Sequence, residues 1–116
     1  MEQADHVTQR LWGMFEVIQD TPQYKVKKIT VNGHQSLSLQ AHNHRSEHWI
    51  CISGLGLVQT NDSYVPLDKT RQHNHFFIEK EDHHRLLINC TDEPLVIIEI
   101  QTGSYFDEDD RLEQKV

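Results

Sequence analysis

The segment from Gln40 to Trp49 concentrates the side chains that bind metal ions. Two imidazoles, His42 and His44, lie two residues apart, and the carboxylate of Glu47 follows three residues later. Alternate side chains of a strand share one face, so both histidines can bind one ion, and Glu47 can join them once the strand bends. The segment therefore predicts half of a metal site.

A complete site needs at least one more ligand from a distant part of the chain. His84 is our choice, because Leu86 and Ile88 share its strand parity and would line an apolar interior. With His83 inward instead, polar side chains such as Arg85 would share the interior face, at a higher cost. Parity thus favours His84 as the fourth ligand.

The chain has nine histidines, and six of them lie in three close pairs. His73 and His75 have strand spacing but no nearby carboxylate, so we interpret them as surface residues.

Short β-type runs with turn signals between them fill most of the chain, and no window shows a convincing helical period. About nine short strands in one small domain indicate a sandwich, a jelly roll or a barrel. The predicted strands are Phe15 to Ile18, Tyr24 to Val31, Ser36 to His44, Trp49 to Ser53, Gly56 to Thr60, Tyr64 to Leu67, His75 to Ile78, His84 to Asn89 and Leu95 to Gln101.

Strand parity also predicts which residues lie on the opposite face of the strand that carries His42 and His44. If His42 and His44 face inward, Leu37 and Leu39 lie on the opposite face and need a cover. We expect the N-terminal arm or a second subunit to provide it, and hence a homodimer. The alternative is that the leucines lie in the core and the histidines at the surface.

Composition limits the class of protein. With 116 residues and a formal net charge of −7, the chain is one acidic domain, unlike a general binder of nucleic acid or of anionic membranes. Cys51 and Cys90 resemble buried free thiols, and no long apolar run is present, so we expect a cytoplasmic protein. We divide it into an N-terminal arm (residues 1–9), a central domain (10–106) and an acidic C-terminal tail (107–116).

The same residues resemble a known family. Gly33, then His42-x-His44-x-x-Glu47, then six residues to Gly54, resembles the first motif of the cupins, with His84 as the histidine of the second. The run Leu37-Ser-Leu-Gln-x-His-x-His-Arg-x-Glu-His-Trp49, together with Arg10-Leu-Trp-Gly13, His84-Arg-Leu86 and Gln101-Thr-Gly-Ser-Tyr105, narrows the resemblance to the type II mannose-6-phosphate isomerase domain. In that family the domain is often the C-terminal part of an enzyme whose other half is a mannose-1-phosphate guanylyltransferase.

The resemblance implies an all-β cupin double-stranded β-helix that binds a divalent metal, zinc first, with cobalt, manganese, nickel or iron as alternatives. It implies interconversion of mannose 6-phosphate and fructose 6-phosphate for GDP-mannose and polysaccharide synthesis. A separate mannose-1-phosphate guanylyltransferase is a candidate partner, above all if the domain is a non-catalytic binding module. Two other functions stay open: a non-catalytic sugar-binding or nucleotide-sugar-binding cupin, and a mononuclear metal dioxygenase.

The expected roles follow for the remaining side chains. The predicted catalytic residues are His48, Gln40 and Arg45, with the identity of the general base left open. The predicted cations for the substrate phosphate are Lys25, Lys27, Arg45 and Arg85.

One departure from the family pattern lies just before His84, where Glu79-Lys80-Glu81 replaces the usual Pro-x-Gly turn. The spacing from His84 to Asn89 is also one residue longer than usual, which leaves the role of Asn89 open.

Overall fold

The computed structural model describes residues 7–39, 45–60, 63–79 and 85–103. These residues form ten strands, and none of them forms a helix. No helix in the described ranges therefore has the length and apolar character needed to cross a membrane. The strands are β1 (Val7–Arg10), β2 (Gly13–Asp20), β3 (Tyr24–Val31), β4 (Ser36–Leu39), β5 (Arg45–Ser53), β6 (Gly56–Gln59), β7 (Tyr64–Leu67), β8 (His75–Ile78), β9 (Arg85–Ile88) and β10 (Leu95–Gly103).

Two antiparallel sheets face each other. The first has six strands in the order β1-β2-β3-β10-β5-β8, and the second has four in the order β4-β9-β6-β7. Because β10 pairs with both β3 and β5, chain segments far apart in sequence become neighbours at the centre of the larger sheet. The predicted all-β jelly-roll architecture is confirmed.

The inward face of the larger sheet changes character along the strands. At one end it is apolar, with Val31, Leu95 and Ile97 each fully buried. At the other end the same alternation buries Glu99 and Gln101. The apolar end therefore supplies the core, and the polar end faces the barrel interior without the usual hydrophobic filling.

The prediction that Leu37 and Leu39 lie on a face outside the barrel core is wrong for Leu37. Leu37 is buried in the core, whereas Ser36 and Ser38 are exposed. The barrel itself covers Leu37, so this residue no longer supports a homodimer. Residues 40–44 lie outside the described residues, so parity from β4 does not reach His42 and His44.

The parity expected of β9 is also wrong. Leu87 is fully buried and pairs with Leu37 across the sheet, so Leu86 and Ile88 lie on the other face. Arg85 shares the inward face with Leu87, which is the arrangement that sequence reasoning judged costlier. His84 lies outside the described residues, and its choice as a ligand therefore no longer has support from the parity of this strand.

Two further expectations are corrected at the surface. Residues 7–9, which we assigned to the N-terminal arm, pair with β2 as part of the edge strand Val7–Arg10. Cys51 is a buried free thiol as expected, whereas Cys90 is exposed. The apolar neighbours of Cys90 belong to β9, but the cysteine itself follows the end of that strand.

Asn89 ties the end of β9 to the rest of the fold. The two N–H groups of its Nδ2 share the carbonyls of Val31, Asn32 and Glu93 as acceptors, at 3.0, 3.2 and 2.7 Å from the nitrogen. Its Oδ1 accepts from the backbone N–H of Thr91 at 3.0 Å and from the Thr91 hydroxyl at 2.8 Å. This buried amide satisfies several backbone groups at once, so its role is structural.

Replacing Asn89 by alanine should lower the free energy of unfolding by about 1–3 kcal/mol, because buried carbonyls and an N–H lose their partner. Denaturant titration of both proteins measures the difference. Replacing the exposed Gln35 by alanine is the control and should change the value by less than about 0.5 kcal/mol. An Asn89 variant as stable as the control would contradict the structural role.

Candidate active site in the barrel interior

Two rows of residues, each paired across neighbouring strands among β3, β10 and β5, form the polar end of the barrel. In the first row, Glu99 on β10 lies between Lys27 on β3 and Trp49 on β5. In the second row, Gln101 pairs with Glu47, and both are almost completely buried. Side chains from distant parts of the chain thus meet because β10 is the shared partner strand.

Glu99 is held by donors on both of its oxygens. The indole Nε1–H of Trp49 donates to Oε2 at 3.1 Å, and the Nε2 amide of Gln101 donates to Oε1 at 2.8 Å. Glu47 is the second carboxylate of the site, and its Oε2 accepts from Arg45 Nε at 3.2 Å. The site therefore contains a pair of buried carboxylates with different surroundings.

These surroundings move the two carboxyl pKa values apart. Burial raises the pKa of Glu47 well above its ordinary value, and the charge of Glu99 and a hydrogen bond to it raise it further. For Glu99, burial also acts to raise the pKa, but the hydrogen bond from Glu47, the charge of Lys27 and the donors Trp49 and Gln101 outweigh it, and the pKa is lowered. Glu99 is thus the stronger acid of the pair, and Glu47 is the first of the two to take up a proton.

Cationic side chains lie on the inward faces around this pair. Lys27 is buried, and its Nζ lies 4.5 Å from the centre of the Phe15 ring. Arg45 is buried beside Glu47, and the Nε of Arg85 is buried on the facing sheet. Lys25 shares the face of Lys27 nearer the strand end and lies 3.9 Å from Asp20. All four cations predicted from sequence therefore lie on inward strand faces.

The predicted metal ligands are only partly within the described residues. Glu47 points into the barrel, whereas His42, His44 and His84 lie outside the described residues, as does Gln40. The described residues alone contain no group of three or more metal-binding side chains. The segment Glu79-Lys80-Glu81 replaces the usual Pro-x-Gly turn before His84. Only Glu79 of this segment is described, and it is exposed.

His48 lies on the opposite face of β5 from Glu47. Its ring stacks on His75 and packs against Phe77 on the outer face of the sheet. Burial, followed by the charge of His75, lowers the pKa of His48. This position is outside the interior cluster, so the geometry does not favour the catalytic role expected of His48.

Sequence reasoning did not select Glu99 and Gln101 as site residues. The signal was present in the alternation of β10, where Leu95 and Ile97 share a face with Glu99 and Gln101. Polar residues that continue an inward apolar row predict a buried polar site. Recognising them required knowing which face is inward.

Solved structures define the class of the fold. A Klebsiella pneumoniae protein with a double-stranded β-helix domain aligns with a TM-score of 0.71 at 16% identity, over 90% of this chain and 89% of its own. A cupin-superfamily sugar phosphate isomerase from Silicibacter pomeroyi aligns with a TM-score of 0.66 at 16% identity, over 82% of this chain and 65% of its own. The protein therefore has the double-stranded β-helix fold of these structures.

The sequence then assigns the family. The profile of the mannose-6-phosphate isomerase C-terminal family matches residues 1–114, and this chain belongs to that family. Over 101 residues, it is 42% identical to the alginate biosynthesis protein AlgA of Pseudomonas aeruginosa and 39% identical to a mannose-1-phosphate guanylyltransferase of Escherichia coli. These alignments cover 87% of this chain in both cases, and 20% and 21% of the two relatives. The chain therefore spans about a fifth of the length of the curated relatives that it matches.

Proposed function

We propose that this domain is a metal-dependent sugar-phosphate isomerase that interconverts mannose 6-phosphate and fructose 6-phosphate. The observation that carries the proposal is the polar end of the barrel, where buried cations surround a buried carboxylate pair. Burying such a cluster costs free energy that a domain of this size can hardly spare, and strongly shifted carboxyl pKa values are typical of functional sites. Membership of the mannose-6-phosphate isomerase C-terminal family supports a sugar phosphate as the substrate.

The cations suit a phosphorylated hexose. A phosphate needs charge-assisted donors, and a guanidinium can donate two parallel hydrogen bonds to it. Arg85 and Arg45 extend from facing sheets, and Lys27 and Lys25 add point charges along β3. The acidic net charge of the chain does not oppose this, because the local surroundings of the site decide the binding of an anion.

The predicted donor set suits a divalent cation. His42, His44, Glu47 and His84 would hold it, and Glu47 fits this role because its carboxylate is buried and faces inward. Nitrogen and oxygen ligands of this kind suit zinc, our first choice, and also cobalt, manganese, nickel or iron. When bound, the ion supplies Lewis-acid stabilisation of the charge that develops on the sugar oxygens.

The residues of the chain perform the remaining steps. The isomerisation moves a proton between C1 and C2 through a cis-enediol, so the sugar must be held with both carbons near the carboxylate pair. The Gln101 amide is in position to orient a hydroxyl: its nitrogen is fixed by Glu99, and its Oε1 has no hydrogen-bond partner among the described residues. Arg45, the one predicted catalytic residue described in the interior, holds Glu47 in place.

A coupled assay tests the function directly. The purified domain, loaded in turn with zinc, cobalt and manganese, should convert mannose 6-phosphate to fructose 6-phosphate at a rate that falls when a chelator removes the metal. Glucose 6-phosphate, assayed in the same way for formation of fructose 6-phosphate, is the control for specificity toward the mannose epimer. A metal-loaded protein that is stabilised thermally by mannose 6-phosphate but does not turn it over would instead indicate a binding module. Iron-dependent oxygen uptake would indicate a dioxygenase.

We also propose a guanylyltransferase as the physiological partner. The support is that a curated relative named for that activity contains a region 39% identical to this chain within a much longer protein. Co-purification of tagged domain with a separately expressed guanylyltransferase tests the association. A mixture that elutes as two separate species at micromolar concentration would contradict it.

A cytoplasmic location completes the proposal. Cys51 and Cys90 are free thiols, which persist in a reducing compartment. Recovery of the protein in the soluble cell fraction, with both thiols open to alkylation after denaturation, is the expected result.

A further inference from the structure

A second cluster of nitrogen ligands lies on the outer face of the barrel. His48 Nδ1 on β5 and His75 Nε2 on β8 are 3.0 Å apart, and the two rings stack at 5.2 Å between centroids with an interplanar angle of 21°. They are diagonal neighbours, because His48 pairs with Phe77 and Ile50 pairs with His75. His75 is exposed on the last strand of the six-stranded sheet, so solvent reaches the pair.

The separation of the two nitrogens matches a pair of adjacent ligands on one ion. With metal–nitrogen bonds of about 2.05 Å, two imidazoles at a right angle place their nitrogens about 2.9 Å apart, and two at a tetrahedral angle place them about 3.3 Å apart. The observed 3.0 Å is close to the right-angle value. Octahedral and tetragonal ions, such as Ni²⁺ and Cu²⁺, have this geometry and favour imidazole ligands.

The surrounding side chains keep the two rings next to each other. The Phe77 ring lies 4.6 Å from the His48 ring at an angle of 42° and packs against it. Both histidines stand on paired strands, so their Cα positions are fixed by the sheet register. A ligand pair that is already ordered loses little side-chain entropy on binding.

We propose that His48 and His75 form a surface site for a transition-metal dication of the Cu²⁺ or Ni²⁺ type, with water at the remaining positions. In the metal-free protein, one of the two nitrogens donates its proton in a hydrogen bond to the other. When the ion binds, that ring changes to its other neutral tautomer, so the proton moves to the ring nitrogen that faces away from the ion. The site is separate from the barrel interior, because successive residues of a strand point to opposite faces, and Glu47 and Trp49 point inward. Sequence reasoning grouped His75 with His73, but its partner in the fold is His48.

Isothermal titration of the full chain with CuCl₂ tests this site. His75→Gln should bind one equivalent of Cu²⁺ fewer than wild type, or bind that equivalent at least roughly tenfold more weakly. His34→Gln is the matched control, because it also removes one exposed imidazole, on a distant turn beside Asp92. This control should keep the wild-type stoichiometry, and the interior site contributes equally to all three proteins.

Spectroscopy and stability separate a lost ligand from a damaged fold. The Cu²⁺ electron paramagnetic resonance spectrum of wild type should show a component with nitrogen couplings that is missing from His75→Gln. Without metal, the thermal unfolding temperatures of the two proteins should agree. Equal Cu²⁺ stoichiometry and affinity in wild type and His75→Gln would overturn the proposal, whatever the result of the isomerase assay.

Discussion

Replacing Glu99 by leucine should lower the free energy of unfolding by about 3–5 kcal/mol, a large share of the stability of a small domain. The variant removes the acceptor of two buried N–H donors, Trp49 Nε1 and Gln101 Nε2. It also removes the carboxylate of lower pKa, which pairs in register with the buried Lys27. Breaking a buried charge network by removing one member costs far more than losing a surface pair.

Chemical denaturation of the metal-free proteins at neutral pH measures this loss. Glu79→Leu is the matched control, because Glu79 is an exposed glutamate just after the end of β8, and its effect should stay within about 0.5 kcal/mol. If Glu99→Leu were as stable as Glu79→Leu, the interior carboxylate would have no structural role, and the charge network inferred for the barrel would be wrong.

Replacing Glu47 by glutamine should have the opposite profile, with activity lost and stability kept. If Glu47 holds the metal, isomerase turnover with saturating zinc should fall by roughly 100–1000-fold, because transition-state charge loses its stabilisation. At a pH at which the wild-type carboxyl is protonated, the fold should be as stable as wild type, since an amide can still accept from Arg45 and donate to Glu99, as the protonated acid does. Comparison of kcat/KM with the unfolding free energy separates the two effects.

The pH dependence of stability provides a second measurement on Glu47→Gln. The folded-state pKa of Glu47 lies above its ordinary value of 4.5, so this carboxyl stabilises the metal-free wild type fully below pH 4.5. The contribution is lost as the pH rises through the raised pKa. Glu47→Gln has no such group, so its stability relative to wild type should increase as the pH rises above 4.5. A constant difference over that range would show that the Glu47 pKa is not raised.

The contrast between the two carboxylates has a simple origin. Glu99 faces donors on both oxygens and is stabilised as an anion, whereas burial and the charge of Glu99 raise the pKa of Glu47. Glu99 is therefore the stronger acid, and Glu47 takes up a proton first. The two glutamates have the same side chain, so only their partners make them different.

The sequence by itself determined the strands and the family. Alternating apolar residues and turn signals are local, and they predicted nine of the strands, including β3, β7 and β8 at their observed bounds. The spacing around His42, His44 and Glu47 carried the resemblance, because ligand geometry restricts residue types over a short segment. The edge strand β1 was missed, since its pairing with β2 depends on a neighbouring strand as much as on its own residues.

The tertiary structure alone decided which face of each strand points inward. Alternation divides the side chains of a strand into two faces, but in β4 and β9 either face could be the buried one. Shifting the strand by one residue exchanges the buried and exposed faces. The facing sheets resolved it by burying Leu37 against Leu87 and turning Arg85 inward. They also brought Glu99 to Glu47 and His48 to His75. These partners lie 52 and 27 residues apart, and no local pattern in the sequence reports such pairings.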